Sequence, residues 1–269
     1  MNTETITLNN DIEMPVLGLG VYQLHDTECE RCVSEAAELG YRLFDTAQMY
    51  GNEKSLGNAL KNCGLPRNEL FITTKLYSPS RGYALAKSAI EESLDSLQTD
   101  YIDLLLIHEP YRESAEMYRA MREAYQDRKL RAIGISNFNE KQYLDFISNC
   151  EIIPAINQVE AHVFYGQSKL QTVMAQHGTQ MEAWSPFAAG KGQFFENDML
   201  CTLGRKYGKS AAQIGLRFLI QRGIIAIPKT SHKERLKENM AIFDFELSTE
   251  DIKQLETLDK GKSLFGWYS

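Results

Sequence analysis

The chain has 269 residues, of which 43% are hydrophobic and 24% charged. That is enough to bury a sizeable core and is close to the usual size of one (β/α)8 domain. A formal net charge of −7 argues against a general nucleic-acid surface, and no apolar run reaches the ~18 residues of a membrane span. The first residues lack the basic patch and apolar core of a signal peptide, and five scattered cysteines, an odd number, suit a reduced compartment. A cytoplasmic protein without nucleic-acid or membrane partners is expected.

In chain order, residues 5–8 (TITL) alternate apolar and polar, residues 9–11 (NND) carry turn chemistry, and residues 12–15 (IEMP) resume the strand pattern. This reads as a β-hairpin placed to close one end of a barrel. Eight short apolar runs follow, at residues 17–20, 42–45, 71–75, 104–108, 132–136, 155–158, 180–184 and 224–228. Stretches of helical periodicity lie between most of them, including 27–39, 84–97, 117–128, 141–149, 168–177 and 211–222. In 84–97, Leu85, Ile90, Leu94 and Leu97 are expected to share the buried stripe. Runs such as LLLI at 104–107 and IIAI at 224–227 are apolar throughout, as strands covered on both faces require. The alternation predicts an α/β (β/α)8 TIM barrel with an N-terminal β-hairpin closing its bottom, against the rival of an open doubly wound sheet. No linker divides the chain, so residues 1–269 read as a single domain.

The only CxxC, Cys29 to Cys32, falls inside the first helical stretch and has no second pair to complete a zinc site. Two longer connections, 187–198 and the tail 260–269, carry glycines and aromatics and are candidate rim loops over a ligand. At or just past the ends of the second to the eighth runs sit Asp45, Lys75, His108, Ser136 and Asn137, Gln158, Trp184 and Lys229. A parallel barrel brings all those ends to one rim.

The stretches LGLGVYQL, FDTAQMYGNE, ITTKL, DYIDLLLIHEP, IGISNF, INQVE, AWSPF and IPKTSHKERLKEN occur in this order along almost the whole chain. On them the chain resembles the aldo-keto reductase superfamily, in particular its bacterial diketogluconate-reductase-like branch. The resemblance implies an NADPH-dependent oxidoreductase that reduces a small aldehyde or ketone. It also implies a monomer.

Carbonyl reduction by a nicotinamide needs an acid to protonate the oxygen as charge develops there. Tyrosine holds its proton at neutral pH, and a nearby ammonium makes it a better acid. A buried lysine keeps its charge only beside a carboxylate. Tyr50 as acid, Lys75 beside it and Asp45 to hold Lys75 charged make such a set, with His108 as donor to the carbonyl oxygen. Taken singly, these are a rim aromatic, a solvated charge, a strand-end cap and a core histidine. The resemblance implies that together they are the catalytic tetrad.

Gly18-Leu19-Gly20 is not continued into GxGxxG, so the Rossmann fingerprint is absent. Instead Lys229, Thr230 and Ser231 follow the last run and Arg235 opens a helix, a favoured barrel site for phosphate. The resemblance implies that these grip the adenosine 2′-phosphate of NADPH (NADP+) and that Glu238 and Asn239 hold the adenine. It further implies that Ser136, Asn137 and Gln158 bind the carboxamide, Trp184 stacks on the nicotinamide and Ser185 reaches the pyrophosphate. Tyr22 and Glu109 match walls of the substrate pocket. A carboxylate at Glu109 is expected to repel acidic substrates and to raise the pKa of His108. No set of His, Cys and carboxylate has ligand spacing, so no metal is expected. The alternatives are an NADPH-binding regulatory or sensor barrel with little turnover, and a metal-dependent hydrolase built on His108, His162 and Asp45.

Overall fold

A computed structural model describes residues 4–266. The alternating N-terminal segment forms an antiparallel hairpin in which β1 (Thr5–Thr7) pairs with β2 (Glu13–Pro15), Ile6 lying opposite Met14. Leu8 and Met14 turn into the barrel interior. Asn10 donates to the Arg131 carbonyl at 2.8 Å and Asn9 to the Ile153 carbonyl at 3.2 Å. The hairpin therefore closes the amino end of the barrel, as its pattern suggested.

Eight parallel strands follow: β3 (Gly18–Gly20), β4 (Leu43–Asp45), β5 (Phe71–Leu76), β6 (Ile102–Ile107), β7 (Leu130–Ser136), β8 (Ile156–Glu160), β9 (Gln180–Trp184) and β10 (Ile225–Ala226). Each pairs with its successor, and a parallel bridge from Leu17 to Ala226 joins the last strand to the first. The sheet is closed, which excludes the open doubly wound arrangement. The Gly20 N–H donates to the Pro228 carbonyl at 3.1 Å across this seam, and a Cβ on Gly20 would lie 3.0 Å from the Ile227 carbonyl oxygen. Close approach at the seam accounts for this glycine of the GxG.

Alternation explains the wholly apolar runs. On β6, Leu104 and Leu106 fill the barrel with Leu43, Phe71 and Ile156, while Leu105 and Ile107 face outward under the helices. The helical layer comprises α1 (Asp26–Glu38), α2 (Glu53–Asn62), α3 (Tyr83–Leu97), α4 (Ser114–Gln126), α5 (Glu140–Ile147), α6 (Ser168–Gln176), α7 (Asp198–Tyr207), α8 (Ala211–Gln221), α9 (Lys233–Met240) and α10 (Thr249–Glu256). Capping boxes start α5 at Asn139 with Gln142, and α8 at Ser210 with Gln213.

One expectation fails on α3. Leu85 is 56% exposed, and the buried stripe is Ala86, Ala89, Ile90, Ser93, Leu94 and Leu97. Leu85 precedes Ile90 by five residues, which is off-phase for a helix, whereas Ala86 precedes it by one turn. Cys29 and Cys32 are fully buried on α1, and burial pushes the Cys29 thiol up to about 12. The connection 187–198 winds through short 3₁₀ turns over Ala188–Glu196 with left-handed residues Ala189, Gly190, Gly192 and Gln193. Residues 267–269 of the expected tail loop lie outside the described residues.

Candidate active site

Strand parity decides which side chains reach the barrel mouth. Register places Gln158 of β8 beside Glu182 of β9, and Glu160 beside Trp184 one layer higher. Lys75, near the end of β5, is fully buried inside the barrel. Its Nζ donates to Asp45 Oδ1 at 2.6 Å, to the Thr46 carbonyl at 2.9 Å and to the Tyr50 hydroxyl at 3.5 Å. Gln158 Nε2 donates to the other Asp45 oxygen at 2.7 Å and to Glu182 Oε2 at 2.8 Å.

Tyr50 sits on a 3₁₀ turn (Gln48–Tyr50) just after β4, and Gly51 at φ 65° turns the chain on into α2. Asn52 staples this turn in place. Its Nδ2 donates to the Val21 and Leu24 carbonyls at 2.8 and 2.7 Å, and its Oδ1 accepts the Thr46 hydroxyl at 2.6 Å. The Tyr50 ring meets Tyr22 at 4.9 Å and His108 edge-on at 5.8 Å.

Burial opposes the Lys75 ammonium, but Asp45 and the Tyr50 hydroxyl more than offset it and raise its pKa above the usual lysine range. Burial likewise raises the Asp45 carboxyl, with Lys75 and Gln158 pulling against it. Burial also raises the Tyr50 phenol, and the pull of Lys75 offsets this only in part. The expectation that Lys75 acidifies Tyr50 thus holds against burial alone and not for the net result. His108 is pushed down to about 3, by burial first and by Lys75 second. It is a neutral imidazole, its Nδ1 buried without a hydrogen-bond partner among the described residues. This corrects the expected effect of Glu109, which is not among the causes. Glu182 is fully buried and pushed up to about 8 by burial and by Asp45.

Asp45, Tyr50, His108 and Gln158 line a cavity of about 280 Å³ whose walls also include Tyr22, Ser136, Asn137, Trp184, Ser185 and Phe265. Asn137, at a left-handed φ of 66°, donates to the His108 carbonyl at 3.0 Å and accepts Trp184 Nε1 at 2.8 Å. Ser136 Oγ is engaged by the Gln158 carbonyl at 2.8 Å. A second cavity of about 270 Å³ adjoins the first, lined by Phe187, Phe195, Thr230, Arg235, Glu238 and Asn239 together with Ser210 at the start of α8. Lys229 lines both. A larger cleft of about 600 Å³ lies on the outer wall between α4 and α5 and holds none of the residues singled out from the sequence.

Three predicted residues line neither cavity, and one of them, Lys75, lies beneath the first and reaches it through Tyr50. Ser231 presents its carbonyl to Arg31 at 3.0 Å and lines neither. Glu109 lies outside the first cavity, its carbonyl accepting the Tyr111 N–H at 2.9 Å, and burial raises its carboxyl. It is the residue after His108, and the chain has already left the strand there. Sequence reading missed Asn52, Glu182, Phe265 and Ser210. The S-x-x-Q box at 210–213 was a signal for Ser210, and the alternation of QMEAW pointed Glu182 inward with Trp184.

A model of the aldo/keto reductase family matches residues 16–260. The chain is similar to a glyoxal reductase of Bacillus subtilis (strain 168), 41% identical over 96% of this chain and 93% of that one. It is 38% identical to a 9,11-endoperoxide prostaglandin H2 reductase of Trypanosoma cruzi (strain CL Brener), over 98% of this chain and 95% of that one. Among solved structures, the Bombyx mori aldo-keto reductase in complex with NADP superposes with a TM-score of 0.90 at 34% identity, covering 97% of this chain and 94% of that chain.

Proposed function

The chain belongs to the aldo/keto reductase family of oxidoreductases, and on that premise we propose that it uses NADPH to reduce an aldehyde or ketone to an alcohol, with Tyr50 as the general acid. Bound NADPH supplies the hydride. The groove suits such a dinucleotide. Two cavities meet at Lys229, with amides and Trp184 at the tetrad end and Arg235, Thr230 and Lys229 at the other. Cationic donors at the far end match a phosphate, and a flat indole matches a planar ring.

The residues of the chain divide the remaining work. Tyr50 keeps its proton until the carbonyl oxygen gathers negative charge, and then delivers it. Lys75, charged through its 2.6 Å contact with Asp45, steadies the phenolate left behind. Neutral His108 donates an N–H to the same oxygen and orients the carbonyl. Ser136, Asn137, Gln158, Trp184 and Ser185 hold the nicotinamide end, and Lys229, Thr230, Arg235, Glu238 and Asn239 the adenosine end. Tyr22 walls the substrate. We read residues 1–269 as one domain acting on small molecules.

The observation that carries this reading is the buried chain Asp45–Lys75–Tyr50 opening onto a cavity beside His108. Tyr50→Phe tests it. NADPH consumption with a panel of aldehydes is expected to fall by at least ~100-fold, the usual weight of a general acid. NADPH binding, read by fluorescence, stays as in the wild type. A variant reducing a good substrate at the wild-type rate rules out Tyr50 as the acid.

A further inference from the structure

The C-terminal tail is held by a buried carboxylate that the catalytic set does not use. Glu160 ends β8 on the same face as Gln158, one layer above it, and is fully buried. Its Oε1 accepts the Leu264 N–H at 2.9 Å, and its Oε2 accepts the Ser263 hydroxyl. The third partner is His162, whose Nε2 lies 3.1 Å from Oε1. Because His162 Nδ1 accepts the Phe164 N–H at 3.2 Å, the imidazole proton sits on Nε2 and is directed at Glu160. Ser263 Oγ accepts the Phe265 N–H at 3.0 Å. From the opposite side, Lys191 of the 187–198 loop donates to the Leu264 carbonyl at 2.9 Å and lies 4.1 Å from the Phe265 ring centroid. So fixed, the Phe265 ring packs edge-on against Trp184 at 5.2 Å and forms part of the cavity wall.

A carboxylate this buried is stable only while its donors are in place. Of the three donors, two belong to the tail. Docking of the tail is thereby tied to the hydrogen bonds that Glu160 accepts, and the ring two residues after Ser263 is delivered to the pocket.

We propose that Glu160 is a positioning residue that clasps the tail at Ser263 and Leu264, so that Phe265 walls the carbonyl pocket over Trp184 and favours aldehydes bearing an aromatic group. This rests on the reductase reading above. Glu160 touches neither substrate nor cofactor and acts through Phe265.

Benzaldehyde and propanal, reduced by the NADPH-loaded enzyme, separate the effect on fit from the effect on chemistry. In both Glu160→Ala and Phe265→Ala, KM for benzaldehyde rises about five- to tenfold, the weight of one aromatic wall contact. In Glu160→Ala, KM for propanal and both kcat values stay within about twofold. The double variant is no worse than either single one, because both remove the same contact. Limited trypsin digestion after Lys260 and Lys262 is faster in Glu160→Ala by about tenfold, since a bound segment must open to be cut. Should Glu160→Ala fail to fold, Ser263→Ala and Lys191→Ala give the same two changes to a smaller degree. An unchanged ratio of the two KM values overturns the proposal. If the wild type reduces neither aldehyde, it is the reductase reading that fails, and the trypsin comparison alone decides the clasp.

Discussion

Lys75 and Asp45 form an ion pair of 2.6 Å in which the lysine side chain is 0% and the aspartate 3% exposed. Neither charge is stable there alone. Lys75→Met strands a carboxylate in the barrel, and breaking a buried pair from one side costs ~3–5 kcal/mol. Urea unfolding is expected to show that loss. The double variant Lys75→Met/Asp45→Asn, which removes both charges, recovers most of the stability and none of the turnover. Recovery of both would separate the pair from catalysis.

His108 gives a pH signature of known sign. An unfolded histidine titrates near ~6.5, whereas in the fold His108 is held down to about 3 by burial and by Lys75. Between those values the unfolded chain binds a proton that the folded one refuses. The stability from the neutral ring is present above about 6.5 and is lost as pH falls toward 3. Histidine NMR resonances should include one ring that does not titrate between pH 5 and 8. Its disappearance in His108→Gln assigns it, and a His108 resonance moving in that range contradicts the burial argument.

Glu182 works with the opposite sign. Its carboxyl is pushed up to about 8 by burial and by Asp45, against about 4.3 in an unfolded chain. The folded state keeps a proton that the unfolded state has lost. Stability is therefore full below the unfolded value and falls as pH rises through about 8. Glu182→Gln replaces the acid by a neutral group of the same shape. Its stability relative to the wild type should grow between pH 5 and 8, measured by thermal unfolding across that range. A constant difference would mean that the carboxyl is ionised in the fold.

Lys229 joins the two cavities and Arg235 lines the second, where the proposed reading puts the 2′-phosphate. Charge-assisted hydrogen bonds are worth ~1.5–3 kcal/mol each. Arg235→Ala should weaken NADPH binding by about 10- to 100-fold and leave NADH binding nearly as it is. Equal losses for both cofactors would place Arg235 away from the 2′-phosphate.

The sequence alone determined the strand–helix units and the strand-end positions of Asp45, Lys75 and His108. Eight apolar runs alternating with helical stretches mark eight parallel strands covered on both faces, their closure into a barrel being decided by the structure, and Asp45, Lys75 and His108 are marked by lying where those runs stop. The hairpin was legible for the same local reason, period-two alternation about an Asn-Asn-Asp turn. Only the tertiary structure decided which side chains share the mouth. Leu85 and Glu109 carry plausible residue types, but helix phase turns the first outward and the exit from β6 takes the second past the cavity. Glu182, Glu160 and Phe265 matter through partners far away in the chain, with Gln158 bridging Glu182, 24 positions on, to Asp45, 113 positions back, and Glu160 holding Ser263, 103 positions on. No local pattern records such contacts. Net charge states are decided there too, because burial and neighbouring charge, both set by the closed barrel, outweigh what each residue type carries by itself.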